Sequence, residues 1–147
     1  MQRILLLAII CLALFGCKKE NSNDGTPAST GLAGKWRMVS VKDNSTNAVT
    51  AKPLSISGDV DISFTYSSSN AGIMEGVTPT NSINGSFTTG NNSTLSIPVV
   101  GGTKIAETSW GQLFLTNIIY STSFVVDNSG LLHISASTNK TISFTRR

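Results

Sequence analysis

From Gly31 onward the apolar residues fall in short segments separated by Ser, Asn and Gly, and several segments alternate with period two, the spacing of half-buried strands. Val60, Ile62, Phe64 and Tyr66 alternate with Asp61, Ser63 and Thr65, so one face packs inward while the other meets water. Ile142 and Phe144 alternate with Thr141, Ser143 and Thr145 in the same way. Further strands are predicted over 36–41, 72–75, 83–88, 94–98, 122–126 and 131–135. The connections 89–92, 101–102 and 127–130 carry turn chemistry, and 49–56 and 67–71 read as loops. One segment departs from period two. Trp110, Leu113, Phe114 and Asn117 or Ile118 recur at three- and four-residue spacing after Thr108-Ser109, which predicts a short amphipathic helix capped by Thr108 or Ser109, with Trp110 and Phe114 in the core. The expected fold is all-β: an antiparallel meander forming a small closed or partly open barrel, with one short α-helix.

The N-terminus is of another kind. A lone Arg3 precedes an apolar run over 4–15, shorter than the ~20 residues of a spanning helix, so it reads as a secretion signal. The run ends in Leu14-Phe15-Gly16-Cys17, which resembles the lipobox of bacterial lipoproteins: an aliphatic residue three places before Cys and a small one directly before it. The resemblance implies cleavage before Cys17, a diacylglyceryl group on its thiol and an acyl chain on its new amine, enough hydrocarbon to hold a protein to a bilayer almost permanently. Residues 1–16 are then a signal peptide and 17–30 the acylated Cys with a polar tether, KKENSNDGTPAST after Cys17, leaving 31–147 as the folded domain. Lys18, not Asp, follows Cys17, which by the same resemblance implies the outer membrane over inner-membrane retention. Cys11 leaves with the signal, so the domain carries no thiol.

Length and composition narrow the remaining classes. At 147 residues one domain is expected. Two cysteines and one histidine exclude a disulfide framework, a Cys/His zinc cluster and a haem site. Ser and Thr make up about a quarter of the chain, which suits turns and solvated strand faces. The net charge is +3, and loss of Arg3 with the signal lowers it by one, too weak and scattered a surplus for nucleic acid.

Three landmarks along the domain carry a family resemblance. Leu32-Ala33-Gly34-Lys35-Trp36 resembles the L-x-G-x-W opening strand shared by lipocalin-like and META-domain proteins. The stretch from Gly76 to Phe87 resembles the central META pattern G-x-x-G-C-N-x-x-x-G-x-(Phe/Tyr), keeping Gly76, Asn81, Gly85 and Phe87. Thr103-Lys104-Ile105-Ala106, the following helix and the last two strands are similar to the closing half. The resemblance implies a META-like or lipocalin-like barrel, in a family that includes a heat-inducible outer-membrane lipoprotein linked to antibiotic resistance, and it implies no enzyme activity. Thr80 and Glu107 stand where relatives often carry cysteines, so no disulfide or thiol role carries over. The residues themselves suggest structural duties: Asn81 for a left-handed backbone and bonds to neighbouring amides, Gly85 for a bulge or close backbone approach, and Phe87 for the core. Lipocalin-like barrels close with a Trp/Arg contact, which implies that, if the first and last strands adjoin, the terminal Arg146-Arg147 pair stacks near Trp36, with Arg146 the preferred partner.

Candidate chemistry is sparse. His133, the sole histidine, lies on a predicted strand, and a triad would need Ser and a carboxylate around it; a strand histidine is the plainer reading. Asp59 and Asp61, with Glu75 as a third carboxylate, could bind calcium or act as an acid/base pair, but read as the wet side of a strand. Gly101-Gly102-Thr103-Lys104 lacks phosphate-loop spacing and reads as a turn. The expected function is a non-enzymatic binding or scaffolding role in the cell envelope. Its partners would be the bilayer through Cys17 and an envelope protein, a peptide, a glycan or a small apolar ligand, with no cofactor or metal. The alternative is a lipocalin-like carrier of a small apolar ligand in an internal pocket.

Overall fold

Alternating strands close on themselves when each turns its apolar side to a common axis, and the computed structural model, which describes residues 31–147, does this almost completely. The signal peptide, the lipidation at Cys17 and the tether expected from the sequence fall on residues outside those described. The chain runs through β1 (Gly34–Asp43), β2 (Val49–Ala51), β3 (Asp61–Tyr66), β4 (Ala71–Val77), β5 (Ser82–Thr89), β6 (Leu95–Ser96), β7 (Val100–Gly102), α1 (Ser109–Ile118), β8 (Ser121–Val126), β9 (Leu132–Ala136) and β10 (Lys140–Arg146). The strands form one antiparallel sheet in the order β6-β5-β4-β3-β1-β10-β9-β8, with β2 beside β1 and β7 beside β5 off that path. A single bridge between Thr94 and Ser123 joins the two ends. The result is a nearly closed barrel with an unsealed seam.

The interior is filled by Trp36, Phe64, Met74, Phe87, Phe114 and Phe144, each at most 2% exposed. Phe87 stands edge-on between Phe64 and Tyr66, with ring centroids at 5.2 and 4.9 Å, an arrangement worth about 0.5–1.5 kcal/mol per pair beyond the buried area. On β1 the inward positions are Trp36, Met38 and then Val41, a change of phase made by an irregularity between Met38 and Ser40. The extra residue, Val39, points outward at 37% exposure. Such a bulge keeps the apolar set on the core side where strict alternation would have turned Ser40 inward.

The predicted helix is α1. Thr108 caps it, its hydroxyl accepting from the Gly111 amide at 3.2 Å. Trp110, Phe114 and Ile118 form its buried stripe, which packs against β9 and β10, Phe114 standing edge-on to Phe144.

Four local expectations are corrected. Residues 49–51, read as loop, form β2 on the stretch of β1 that β3 does not cover. Gly101-Gly102, read as a turn, lies in β7 and pairs with Asn84 and Ile83 of β5; ladder pairing needs only backbone, so the missing side chains hid the strand. The strand predicted over 94–98 shrinks to Leu95–Ser96, since Pro98 has no amide to donate. Asn81 is not left-handed: the non-glycine residues with positive φ are Asn47, Asn92, Ser93 and Asn139.

Candidate functional site

The most connected polar group of the domain is Asn81, 6% exposed, at the end of the turn from β4 to β5. Its Nδ2 donates to the Ile105 carbonyl at 3.0 Å and to Glu107 Oε2 at 2.9 Å, while its Oδ1 accepts from the Ile105 amide at 2.8 Å and the Thr103 hydroxyl at 3.0 Å. The Thr78 hydroxyl also donates to Glu107, and Glu107 Oε1 accepts from the Thr108 amide at 2.8 Å. Burial alone would raise the Glu107 carboxyl, but bonds from Thr78, Asn81 and the Thr108 amide outweigh it and hold it below the usual range. An added Cβ on Gly111 would fall 2.3 Å from Glu107 Cδ, so this glycine lets the first helical turn sit against the carboxylate. The cluster ties the segment before α1 to the β4–β5 turn. Thr80 joins it, its hydroxyl accepting from Asn81 Nδ2 at 2.9 Å. Thr80 and Glu107, the positions the resemblance equates with cysteines, thus meet in one hydrogen-bonded clamp. The sequence offered Asn81 but not its partners, because they are distant in the chain.

His133 is better connected than the sequence suggested. Its Nδ1 lies 2.9 Å from Ser143 Oγ and its Nε2 3.0 Å from Asp127 Oδ2. Asp127 is held well below the usual carboxylate range, by the Ser129 hydroxyl and then His133. A Ser, His and Asp chain is therefore present. Ser143, however, is 8% exposed on β10, which is paired on both sides by β1 and β9. An oxyanion site needs donors converging on one point, and among the described residues side-chain bonds bring none to Ser143 besides His133. The chain links the β8–β9 turn to β9 and β10, and its geometry is that of a pin.

Asp59 and Asp61 are tied to cations. Arg37 Nε and Nη2 reach the two oxygens of Asp61 at 2.8 and 3.0 Å, and Nη1 reaches Asp59 at 3.0 Å. Lys52 reaches Asp59 at 2.7 Å, and Arg147 also bonds Asp61. Hydrogen bonding from Lys52, with help from Arg37, lowers the Asp59 pKa. Carboxylates already neutralised this way do not present a calcium site, and Glu75 makes no ion pair among the described residues. The expected closing contact is present: Arg146 Cζ lies 4.6 Å from the centre of the Trp36 ring, and Trp36 Nε1 donates to the Leu32 carbonyl at 2.8 Å.

The remaining motif residues are structural. Phe87 is core. At Gly76 an added Cβ would sit 2.1 Å from the Asp61 carbonyl, and at Gly85 2.6 Å from the Val99 carbonyl, so Gly85 serves a close backbone approach. Trp36, Gly76, Asn81, Gly85 and Phe87 do not form one site. What the outer surface offers is apolar residues, with Val49 63%, Ile73 50%, Val99 66% and Ile105 64% exposed, and shallow depressions. One of about 200 Å³ lies between β7 and α1, lined by Ile83, Val100, Thr103, Lys104 and Leu115 among others. Another, of about 180 Å³, lies over β3 and β4 between Lys35, Glu75 and Arg147. The sequence could not point to either, because both arise from the pairing of strands.

No helix among the described residues is long and apolar enough to cross a membrane. No protein-family model and no curated protein matches the chain. Two solved structures are similar in fold. A protein from Burkholderia xenovorans, solved by NMR, aligns with a TM-score of 0.59 at 19% identity, covering 83% of this chain and 89% of that one. A duf4847 family protein from Bacteroides vulgatus ATCC 8482, solved by crystallography, aligns with a TM-score of 0.59 at 15% identity, covering 81% of this chain and 96% of that one. At these identities the likeness is one of fold.

Proposed function

We propose that the chain is a lipid-anchored protein of the bacterial outer membrane whose META-like β domain binds a partner on its outer surface, without catalysis. The observation that supports this best is where the apolar side chains lie. The barrel axis is occupied by Trp36, Phe64, Phe87, Phe114 and Phe144, while Val49, Val99 and Ile105 remain more than 60% exposed. A carrier needs an apolar pocket of roughly 300–1,000 Å³, and a filled interior favours external binding over that alternative. The anchor rests on Leu14-Phe15-Gly16-Cys17. Cells expressing the wild type and Cys17→Ala, grown with labelled palmitate, test it: label is expected on the wild type alone, in the outer-membrane fraction. Label retained by Cys17→Ala refutes the anchor. A fluorescent fatty acid is expected to show no saturable binding to the protein, and stoichiometric uptake would favour the carrier instead.

A further inference from the structure

We propose that β7 is an acceptor edge that takes an extended, acidic segment of a partner protein as an additional strand. The inference deepens the reading of the domain as a surface-binding module and rests on it. The pairing of β7 decides which of its main-chain groups are free. The Thr103 amide donates to the Ser82 carbonyl at 3.0 Å, so Thr103/Ser82 is a bonded pair. Antiparallel ladders alternate bonded and non-bonded pairs, which makes Gly101/Asn84 the next bonded pair and leaves Gly102/Ile83 and Val100/Gly85 non-bonded. Val100 and Gly102 therefore turn their N–H and C=O groups away from β5. Among the described residues no turn or loop backbone bond reaches them, and β7 has β5 as its sole sheet neighbour.

The surroundings of this edge fit a strand. Gly101 and Gly102 put no side chain in the way of an approaching backbone, and Val99 and Ile105 stand exposed on either side of β7. The depression lined by Ile83, Val100 and Leu115 lies beside it and can hold one apolar side chain of the incoming segment. Main-chain bonds supply affinity in such strand addition, and alternate side chains supply selectivity. The charge requirement follows from Lys104, the one charged residue lining the depression, which makes no ion pair among the described residues. An acidic side chain complements it. A second copy of this chain would instead bring a second Lys104 to a groove lined by no acid.

The test uses the full chain in detergent micelles and an acetylated, amidated octapeptide that alternates valine with glutamate and threonine. Titration is expected to shift the amide resonances of Val100 and Gly102 saturably. A peptide N-methylated at alternate residues, which cannot donate to the edge, is expected to bind at least tenfold more weakly. Lys104→Glu should weaken the acidic peptide at least tenfold and favour the same peptide with lysine in place of glutamate. Val100→Pro removes an outward donor without touching the β5 ladder and should abolish the shifts. Absence of shifts at Val100 and Gly102, equal binding of the N-methylated peptide, or shifts that grow with protein concentration alone alongside dimer in ultracentrifugation would each overturn the proposal. Palmitate labelling is independent of these outcomes, so failure here leaves the anchor reading standing, and the reverse also holds.

Discussion

β10 and β7 solve the same backbone problem in opposite ways. β10 runs for seven residues between β1 and β9, and its ladders use its polar groups on both edges. β7 runs for three residues and is paired on one edge. The reactive-looking side chains, Ser143 and His133 with Asp127, sit on the side where β10 is paired along both edges. Free main-chain groups sit on the other side, among glycines and aliphatic residues. Side-chain chemistry and backbone availability are thus separated, which supports the proposed role in binding.

The contrast is broken most directly in the core. Phe144 lies on the fully paired β10, while Phe87 lies on β5, beside the seam-side strands β6 and β7. Truncation to Ala at either position should cost about 3–5 kcal/mol, and the cost depends on how far the surroundings collapse into the cavity. Phe144→Ala is expected at the upper end, because neighbours bonded on both edges cannot move in, and Phe87→Ala at the lower end. Urea denaturation of both variants measures this, and a costlier Phe87→Ala would mean that the seam side is the stiffer of the two. Next in size is Asn81→Ala. It leaves the Ile105 amide and the Glu107 carboxylate, both half-buried, short of one partner each, a loss of about 1–3 kcal/mol in all. Amide exchange should show the loosening concentrated over 103–107; a uniform change would mean that the clamp does not hold that segment.

The same contrast explains what the sequence disclosed. Strands whose side chains alternate, such as β3, and the helix with Trp110 and Phe114 on one stripe, were legible because period alone reveals which side is buried. β7 was not, since Gly101 and Gly102 have no side chains to carry a period and the strand exists only because β5 offers an edge. β2 was hidden for a similar reason, all three of its residues being exposed. The phase change at Val39 is invisible without the β10 register opposite it. Among site residues, Asn81 and the pairing of Trp36 with Arg146 were legible through the family resemblance. The union of Glu107 with Thr78 and Asn81, and of His133 with Ser143 and Asp127, depends on contacts across the fold.

Acid should act on the polar pins that tie turns to strands on both sides. The Lys140 ammonium, and then the Ser45 and Thr46 amides, hold the Asp43 carboxyl down to about 2 from an ordinary 3.8. Asp127 and Glu107 are shifted in the same direction. A carboxyl whose folded pKa lies below its unfolded value stabilises the fold fully above the unfolded value, and that stability is lost as pH falls through the folded one. Unfolding midpoints should therefore hold from about pH 7 to about pH 5 and decline steadily toward pH 2. Asp43→Asn should be less stable than the wild type at neutral pH and lose less on acidification. Rising stability below pH 4 would show that these pairs do not form.

The smallest effect expected is at the contact where the first and last strands meet. Arg146, an exposed residue, lies over Trp36, whose ring is fully buried. An exposed cation on an aromatic face contributes about 0.5–1 kcal/mol. Arg146→Met keeps the length and apolar stem of the side chain and removes the charge, so its cost should fall in that range and shrink little in high salt, since the ring, unlike a carboxylate, carries no net charge for counterions to screen. Arg147→Met removes a cation that reaches Asp61 from a half-exposed position; exposed ion pairs of this kind contribute about 0–1 kcal/mol and weaken as salt rises. Denaturation of the two variants at low and high salt separates ring packing from surface charge. Equal salt dependence would mean that Arg146, too, acts only as a surface charge and that the ring contact contributes nothing to closing β1 onto β10.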